Sequence, residues 1–256
     1  MIKICQYIFS HSMRFFAKFV KGGCFMKKLG IIGAMDVEVA LLRKNIVNPL
    51  ITRIAAIEFI EGTINGTPVV VAKSGIGKVN AAVCTQLLIR SFDVTGVVNT
   101  GAAGAFASGL GVLDLVISTD VMYHDVDVTA WGYEAGGVPG LPVAFKADET
   151  FVSRAEEVCK ALFPERNVVC GRVASGDQFI SSAEKKQAIR ALCAPACVEM
   201  EGAAVAHVCT LNAVPFVVVR SMSDMADDDG GRTAVFNEKA AGETSAALVI
   251  ALLERL

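Results

Sequence analysis

The tightest constraint on the fold of this chain is a repeated pairing. A short, almost wholly apolar run ends in glycine or a small polar residue, and a stretch with helical spacing follows. Lys28-Leu29-Gly30-Ile31-Ile32-Gly33 leads into 34–42, where Val37, Leu41 and Leu42 share one side. Residues 97–105, 112–121, 168–174 and 215–220 are further apolar runs. Residues 79–90, 149–163 and 183–192, and a long segment from about Thr233, read as helices. Strands buried on both faces appear as continuous hydrophobic runs, and helices alternating with them cover a largely parallel or mixed sheet. The expectation is a three-layer α/β/α sandwich around a central mixed sheet. Asn65-Gly66, between runs 54–63 and 68–73, marks a hairpin.

Nothing in the composition argues against one domain. The 256 residues suffice for a sizeable core, and no repeat or linker divides them. Lys and Arg total 24 against 26 acidic residues, so neither nucleic acid nor an anionic membrane is an expected partner. Hydrophobic residues make up 53% of the chain, yet charges or glycines interrupt every apolar run before it could span a bilayer. Cys84, Cys159, Cys170, Cys193, Cys197 and Cys209 are scattered, with no CxxC pair and no histidine nearby at zinc spacing. They read as reduced, buried thiols of a cytoplasmic protein. Residues 1–25, basic and rich in phenylalanine, differ from the rest. They are expected to be an N-terminal tail or an upstream start ahead of a domain spanning 26–256.

The chemistry concentrates in Val198-Glu199-Met200-Glu201-Gly202-Ala203-Ala204-Val205-Ala206-His207. Two carboxylates at the first turn of an alanine-rich helix would sit at the positive end of its dipole. That suits holding a sugar hydroxyl or a developing positive charge, although the segment alone is equally compatible with an ordinary acidic helix start. Strand ends in an open α/β sheet are where ligands bind. They should gather Glu38, the small-residue loop 101–105, the 175–180 loop, Glu199, Glu201, Arg220 and Asp224. Gly75 and Gly77 let the backbone turn sharply toward a ligand. Asp227-Asp228-Asp229-Gly230 reads as a solvated turn. A carboxylate-rich site without a metal set or a Cys–His pair fits glycosidic cleavage, in which one acid protonates the leaving group and another activates water.

From Met26 onward the chain resembles the 5′-methylthioadenosine/S-adenosylhomocysteine nucleosidases, which have a nucleoside phosphorylase-like fold. The resemblance lies in GIIGAMDVEV (30–39), KSGIGKVNAA (73–82), NTGAAGAF (99–106), YHDVDVTAWGYEAGGVPGLPVAFKAD (123–148), SGDQFI (175–180), VEMEGAAVAHVC (198–209) and VPFVVVRSMSDMAD (214–227). It implies hydrolysis of the N-glycosidic bond of methylthioadenosine and adenosylhomocysteine, and of 5′-deoxyadenosine. The products are adenine and a 5-thio-substituted ribose, with a role in methionine salvage. It implies no metal or cofactor. Glu38 is then the general base, Arg220 helps hold the attacking water, and Asp224 protonates N7 of adenine with Ser223 assisting. Glu201 binds the ribose hydroxyls beside Glu199, and Met200 packs on the sugar. Phe179 stacks near the base, whose edge the Ile180 backbone reads, and Met35 and Ile76 line the 5′-alkylthio pocket. Trp131, Tyr133 and Pro139 would reach that pocket from the second subunit of a homodimer.

This chain departs from the family pattern at Ala102, where many members carry serine, and at Gly136 and Gly137. It also departs near 228–235, where Phe236 is a candidate for the lid aromatic. Three rivals stand beside this reading. They are a phosphorylase of the same superfamily, a hydrolase acting on futalosine or another 6-aminopurine nucleoside, and a silent nucleoside-binding protein. A phosphorylase would need extra cations near segments 30–38 and 101–105, which are absent.

Overall fold

The first apolar run forms β1 (Leu29–Gly33), every residue of which is buried. The structure, a computed structural model, describes residues 28–256 apart from 228 and 229, and not the side chains of 230, 231 and 236. The 1–25 tail, residues 228 and 229 of the 227–230 turn, and the side chain of Phe236, the candidate lid aromatic, lie outside the described residues.

β1 pairs in parallel with β4 (Thr67–Lys73) on one side and β5 (Gly96–Ala105) on the other. Beyond β4 the sheet runs out through β3 (Ile57–Ile64) to the edge strand β2 (Val47–Ile54), both antiparallel. Beyond β5 come β9 (Cys197–Glu199), β8 (Val168–Ser175), β6 (Leu115–Tyr123) and β10 (Phe216–Asp224), with β7 (Ala144–Lys146) on β6. β10 also pairs with β5, so this half of the sheet closes on itself. The expected mixed sheet is present, and its curl brings the ends of β5, β9 and β10 side by side.

Helices cover both faces, as the alternating pattern requires. α1 (Asp36–Lys44), α3 (Glu149–Leu162) and α6 (Gly230–Leu252) bury Val39, Leu42, Phe151, Leu248, Val249 and Leu252 on one face. α2 (Lys78–Phe92) and α5 (Gly202–Leu211) bury Cys84, Leu88, Val205 and Cys209 on the other. α4 (Ala183–Cys193) closes a smaller cluster with Phe106, Ala174 and Ile180. Local signals set the helix starts: Asp148 accepts the N–H groups of Thr150 and Phe151, and Ser182 that of Lys185. Five of the six described cysteines are buried and all are free. Among the described residues no helix is long and apolar enough to cross a membrane.

Three local expectations change. Residues 101–105 are not a loop, because β5 runs on to Ala105, its small side chains fitting between neighbouring strands. Glu199 is not in a helical first turn: it ends β9, and Glu201 stands at the N-cap of α5. β2, with Pro49 inside it, has no counterpart in the sequence reading. It joins β3 through Ala55-Ala56, both at positive φ (50° and 61°), where alanine gives no turn signal. The Asn65-Gly66 turn is as expected, with φ of 49° and 81°.

Candidate active site

The buried guanidinium of Arg220, 1% exposed, is the hub around which the site residues collect. It arises mid-strand on β10, opposite Gly101 of β5. Its Nη2 donates to Asn99 Oδ1 at 2.6 Å and to a Glu199 carboxylate oxygen, and it lies 3.9 Å from Glu201 Oε2. Asn99 in turn donates to the Ile32 carbonyl at 3.0 Å, which ties the cluster to β1. A buried charge needs such partners, since unpaired it would cost several kcal/mol.

Glu199 acts as the cap of α5 from outside the helix. Its carboxylate accepts the N–H groups of Glu201 at 3.0 Å and Gly202 at 2.8 Å, and the hydroxyl of Ser175. Ser175 Oγ itself accepts the Ala203 N–H at 2.7 Å. The expected match of carboxylate to helix dipole therefore holds, but from the end of a strand. Burial pushes the Glu199 carboxyl up, yet Arg220, Ser175 and the Gly202 N–H together hold it below its ordinary range. Glu201 is placed differently. Burial and the adjacent Glu199 charge push it up to about 8, against the pull of Arg220 and of the Gly77 N–H it accepts at 2.8 Å.

Glu38 stands one turn into α1 and folds back on the helix start. Its Oε2 accepts the N–H groups of Ala34 (2.6 Å) and Met35 (2.9 Å), the geometry of a capping box. Its Oε1 accepts the Ala102 N–H at 2.9 Å. Burial raises its pKa, opposed by Arg220 and these three N–H groups. Gly101 makes this approach possible: a Cβ there would stand 2.8 Å from Glu38 Cδ and 3.2 Å from Arg220 Nη1. The carboxylate and the guanidinium thus meet over one glycine.

Asp224 lies four residues beyond Arg220 on β10. Between Met222 and Asp224 the pairing with β5 slips, two residues of β10 opposing one of β5, a bulge that re-aims the side chains around it. Asp224 accepts from Ser223 Oγ at 2.8 Å and from the Ala226 N–H at 2.7 Å. Burial raises its pKa against both bonds. Gly104 of β5 pairs with Asp224 on one side and with Val198, next to Glu199, on the other. The backbones of Asp224 and Val198 are therefore about 10 Å apart, two strand spacings.

Glu38, Glu199, Glu201 and Arg220 form one cluster, with Asp224 and Ser223 at the adjoining strand end. Ile180 is buried at 3% and Phe179 exposed at 52%, on the loop leaving β8. Met35 and Met200 are half-buried and Ile76 is exposed, each next in sequence to a cluster residue or its donor. Trp131, Tyr133 and Pro139 are exposed on the loop between β6 and β7, Trp131 at 78%. The sequence reading gave no role to Asn99 or Ser175. The available signal was a polar residue within or at the end of an apolar strand run, which must find a partner when buried. Chemically, the cluster offers a carboxylate with raised basicity beside a cation, a second carboxyl next to it, and a buried acid at the neighbouring strand end.

The chain matches the phosphorylase superfamily over residues 28–255. It is 46% identical over 233 residues to the 5′-methylthioadenosine/S-adenosylhomocysteine nucleosidase of Geobacillus sp. (strain WCH70), covering 90% of this chain and 99% of that one. Its fold is similar to that nucleosidase from Colwellia psychrerythraea 34H in complex with adenine. There the TM-score is 0.88 and the identity 42%, over 90% of this chain and 96% of that one. It is also similar, at a TM-score of 0.86 and 31% identity, to the futalosine hydrolase of Helicobacter pylori strain 26695, over 91% of this chain and all of that one. Family match, identity and fold agree, and this chain belongs to the 5′-methylthioadenosine/S-adenosylhomocysteine nucleosidases of the phosphorylase superfamily.

Proposed function

We propose that this protein hydrolyses the N-glycosidic bond of 5′-methylthioadenosine and S-adenosylhomocysteine, releasing adenine and a 5-thio-substituted ribose. The observation that carries the reading is the meeting of Glu38 and Arg220 over Gly101, with Glu201 beside them. Water held between Glu38 and Arg220 loses its proton to Glu38, whose raised pKa makes it a stronger base than an exposed carboxylate. Asp224, its pKa raised by burial, gives its proton to adenine N7 with Ser223 fixing the carboxyl. The sugar passes through an oxocarbenium-like state. Glu201 holds its hydroxyls, and the Glu199 carboxylate behind it, its pKa lowered, favours the developing positive charge.

Met200 packs on the sugar. Phe179 and the Ile180 backbone take the base, and Met35 and Ile76 take the 5′-alkylthio group. Ala102 supplies only its N–H, to Glu38. Ile76, Val79, Val83, Trp131 and Tyr133 are exposed apolar side chains in the monomer. They support a homodimer in which Trp131, Tyr133 and Pro139 of a second copy complete the alkylthio pocket. The free thiols fit a cytoplasmic enzyme. The match over 28–255 supports reading the domain from Met26 on, so a chain starting there should retain full activity.

Phosphate as nucleophile is disfavoured. Glu38 would repel it, and Arg220 is already engaged by Glu199 and Asn99. Free adenine measured from methylthioadenosine, adenosylhomocysteine and futalosine, with and without phosphate, tests the reading. The expected result is release from the first two, independent of phosphate. Dependence on phosphate, or release from futalosine alone, overturns it.

A further inference from the structure

Three motif segments contribute charged residues that the reaction above leaves without a role: Lys78, Asp125 and Asp177. α2 starts at Gly77, with φ +98° and no side chain to cap it. Carboxylates from other elements take its first N–H groups. Gly77 donates to Glu201 Oε1 and Lys78 to Asp177 Oδ1, both at 2.8 Å. The Lys78 ammonium then reaches Asp125 Oδ2 at 2.6 Å and lies 3.8 Å from Asp177 Oδ2. The Asp177 N–H donates to the same Asp125 oxygen at 2.9 Å. Each residue thus contacts the other two, in a triangle that joins the start of α2 to the loops leaving β6 and β8. The Lys78 and Asp125 side chains are only 22% and 10% exposed, so solvent and salt screen the pair less than a surface ion pair. The Lys78 ammonium also stands 5.3 Å over the Tyr123 ring.

We propose that Lys78, Asp125 and Asp177 are positioning residues that hold the Gly77 N–H against Glu201, and so set how tightly the sugar hydroxyls are bound. The proposal deepens the reading of Glu201 as the ribose-binding carboxylate and rests on it. The triangle touches no reacting atom. Its loss lets the start of α2 drift, and Glu201 loses the backbone donor that fixes its rotamer. The consequence falls on the ribose through Glu201. Asp177 also shares the loop leaving β8 with Phe179 and Ile180, so the adenine readout is taken from the Lys78 variant, whose change lies on α2.

The test compares Lys78→Met, Asp177→Ala and Asp177→Asn with the native protein, measuring KM and kcat for methylthioadenosine and the Kd of adenine. Lys78→Met and Asp177→Ala should raise KM about tenfold, the scale of one charge-assisted hydrogen bond. In both, kcat should stay within about threefold, and in Lys78→Met the adenine Kd should stay within about twofold. Asp177→Asn keeps an oxygen for the Lys78 N–H and should recover most of the loss. Asp177 is half exposed, so its variants test the idea even if Lys78→Met folds poorly. In a Glu201→Gln background, Lys78→Met should add little, because both act on one contact. An unchanged KM, equal weakening of adenine in Lys78→Met, or effects that simply multiply would overturn the proposal. Absence of adenine release by the native protein would instead sink the nucleosidase reading, and the proposal with it.

Discussion

Glu38 and Asp224 are both carboxyls pushed up by burial, yet the proposed mechanism asks opposite things of them. Glu38 is surrounded by three N–H donors and faces Arg220, all of which favour its anion. Asp224 has two donors and no guanidinium beside it, and the cation that favours its anion is Lys186. Asp224→Asn should lower kcat by at least about a thousandfold while nucleoside affinity changes little, consistent with loss of a general acid. Near-normal turnover in a single-turnover adenine assay would remove Asp224 from that role. Glu201 yields a prediction about stability. Its carboxyl sits near 4.5 when unfolded and about 8 when folded. The unfolded chain therefore releases this proton first, and the contribution of Glu201 to stability is full below pH 4.5 and lost as pH rises toward 8. Glu201→Gln should melt higher than the native protein at pH 9, by several degrees at ~2–4 °C per kcal/mol, with the gap closing toward pH 5. A melting series in which the variant is less stable at pH 9 would contradict this. These acids were legible in the sequence because each stands in a short motif. Asn99 and Ser175 were not, because only the folded cluster shows that Arg220 and Glu199 need them.

At the scale of elements, β5 is the platform on which the acids rest. Gly101 lies under Glu38 and Arg220, and a Cβ at Gly104 would stand 3.0 Å from Asp224 Oδ1. Gly101→Ala should displace the Glu38 carboxylate from its three donors and cost about a hundredfold in kcat, the scale of a small misplacement in a reacting group. Adenine binding should be kept, and a calorimetric titration with adenine beside the kinetics checks both. Equal loss of adenine affinity would mean that the strand itself had been disrupted. Helices, apolar strands and the Asn65-Gly66 hairpin could be read from periodicity and turn chemistry. The β2–β3 hairpin could not, because alanines at positive φ carry no local preference for that turn and only strand pairing holds them there. The β10 bulge was likewise invisible: an extra residue in a ladder exists only relative to the partner strand.

At the scale of the whole molecule, the exposed apolar side chains of α2 and of the loop between β6 and β7 argue for a second copy. Val79 is 74% exposed and Val83, one turn on, 42%. If the proposed homodimer uses this face, Val79→Arg should shift the sedimentation of the protein from dimer to monomer and raise KM for methylthioadenosine. An unchanged dimer would place the interface elsewhere. By itself the sequence determined the layer architecture, the identities of the acids and the chemistry they suit. Hydrophobic period, glycine positions and acid-bearing motifs are local properties that a linear chain displays. Tertiary structure decided the surroundings of each acid. The closing of β10 onto β5 put Arg220 opposite Gly101 and Asp224 on the neighbouring strand, and burial with neighbouring charge then moved the carboxyls apart, Glu199 down and Glu201 and Asp224 up. Protonation depends on desolvation and on neighbouring charge, and neither exists until distant segments have come together.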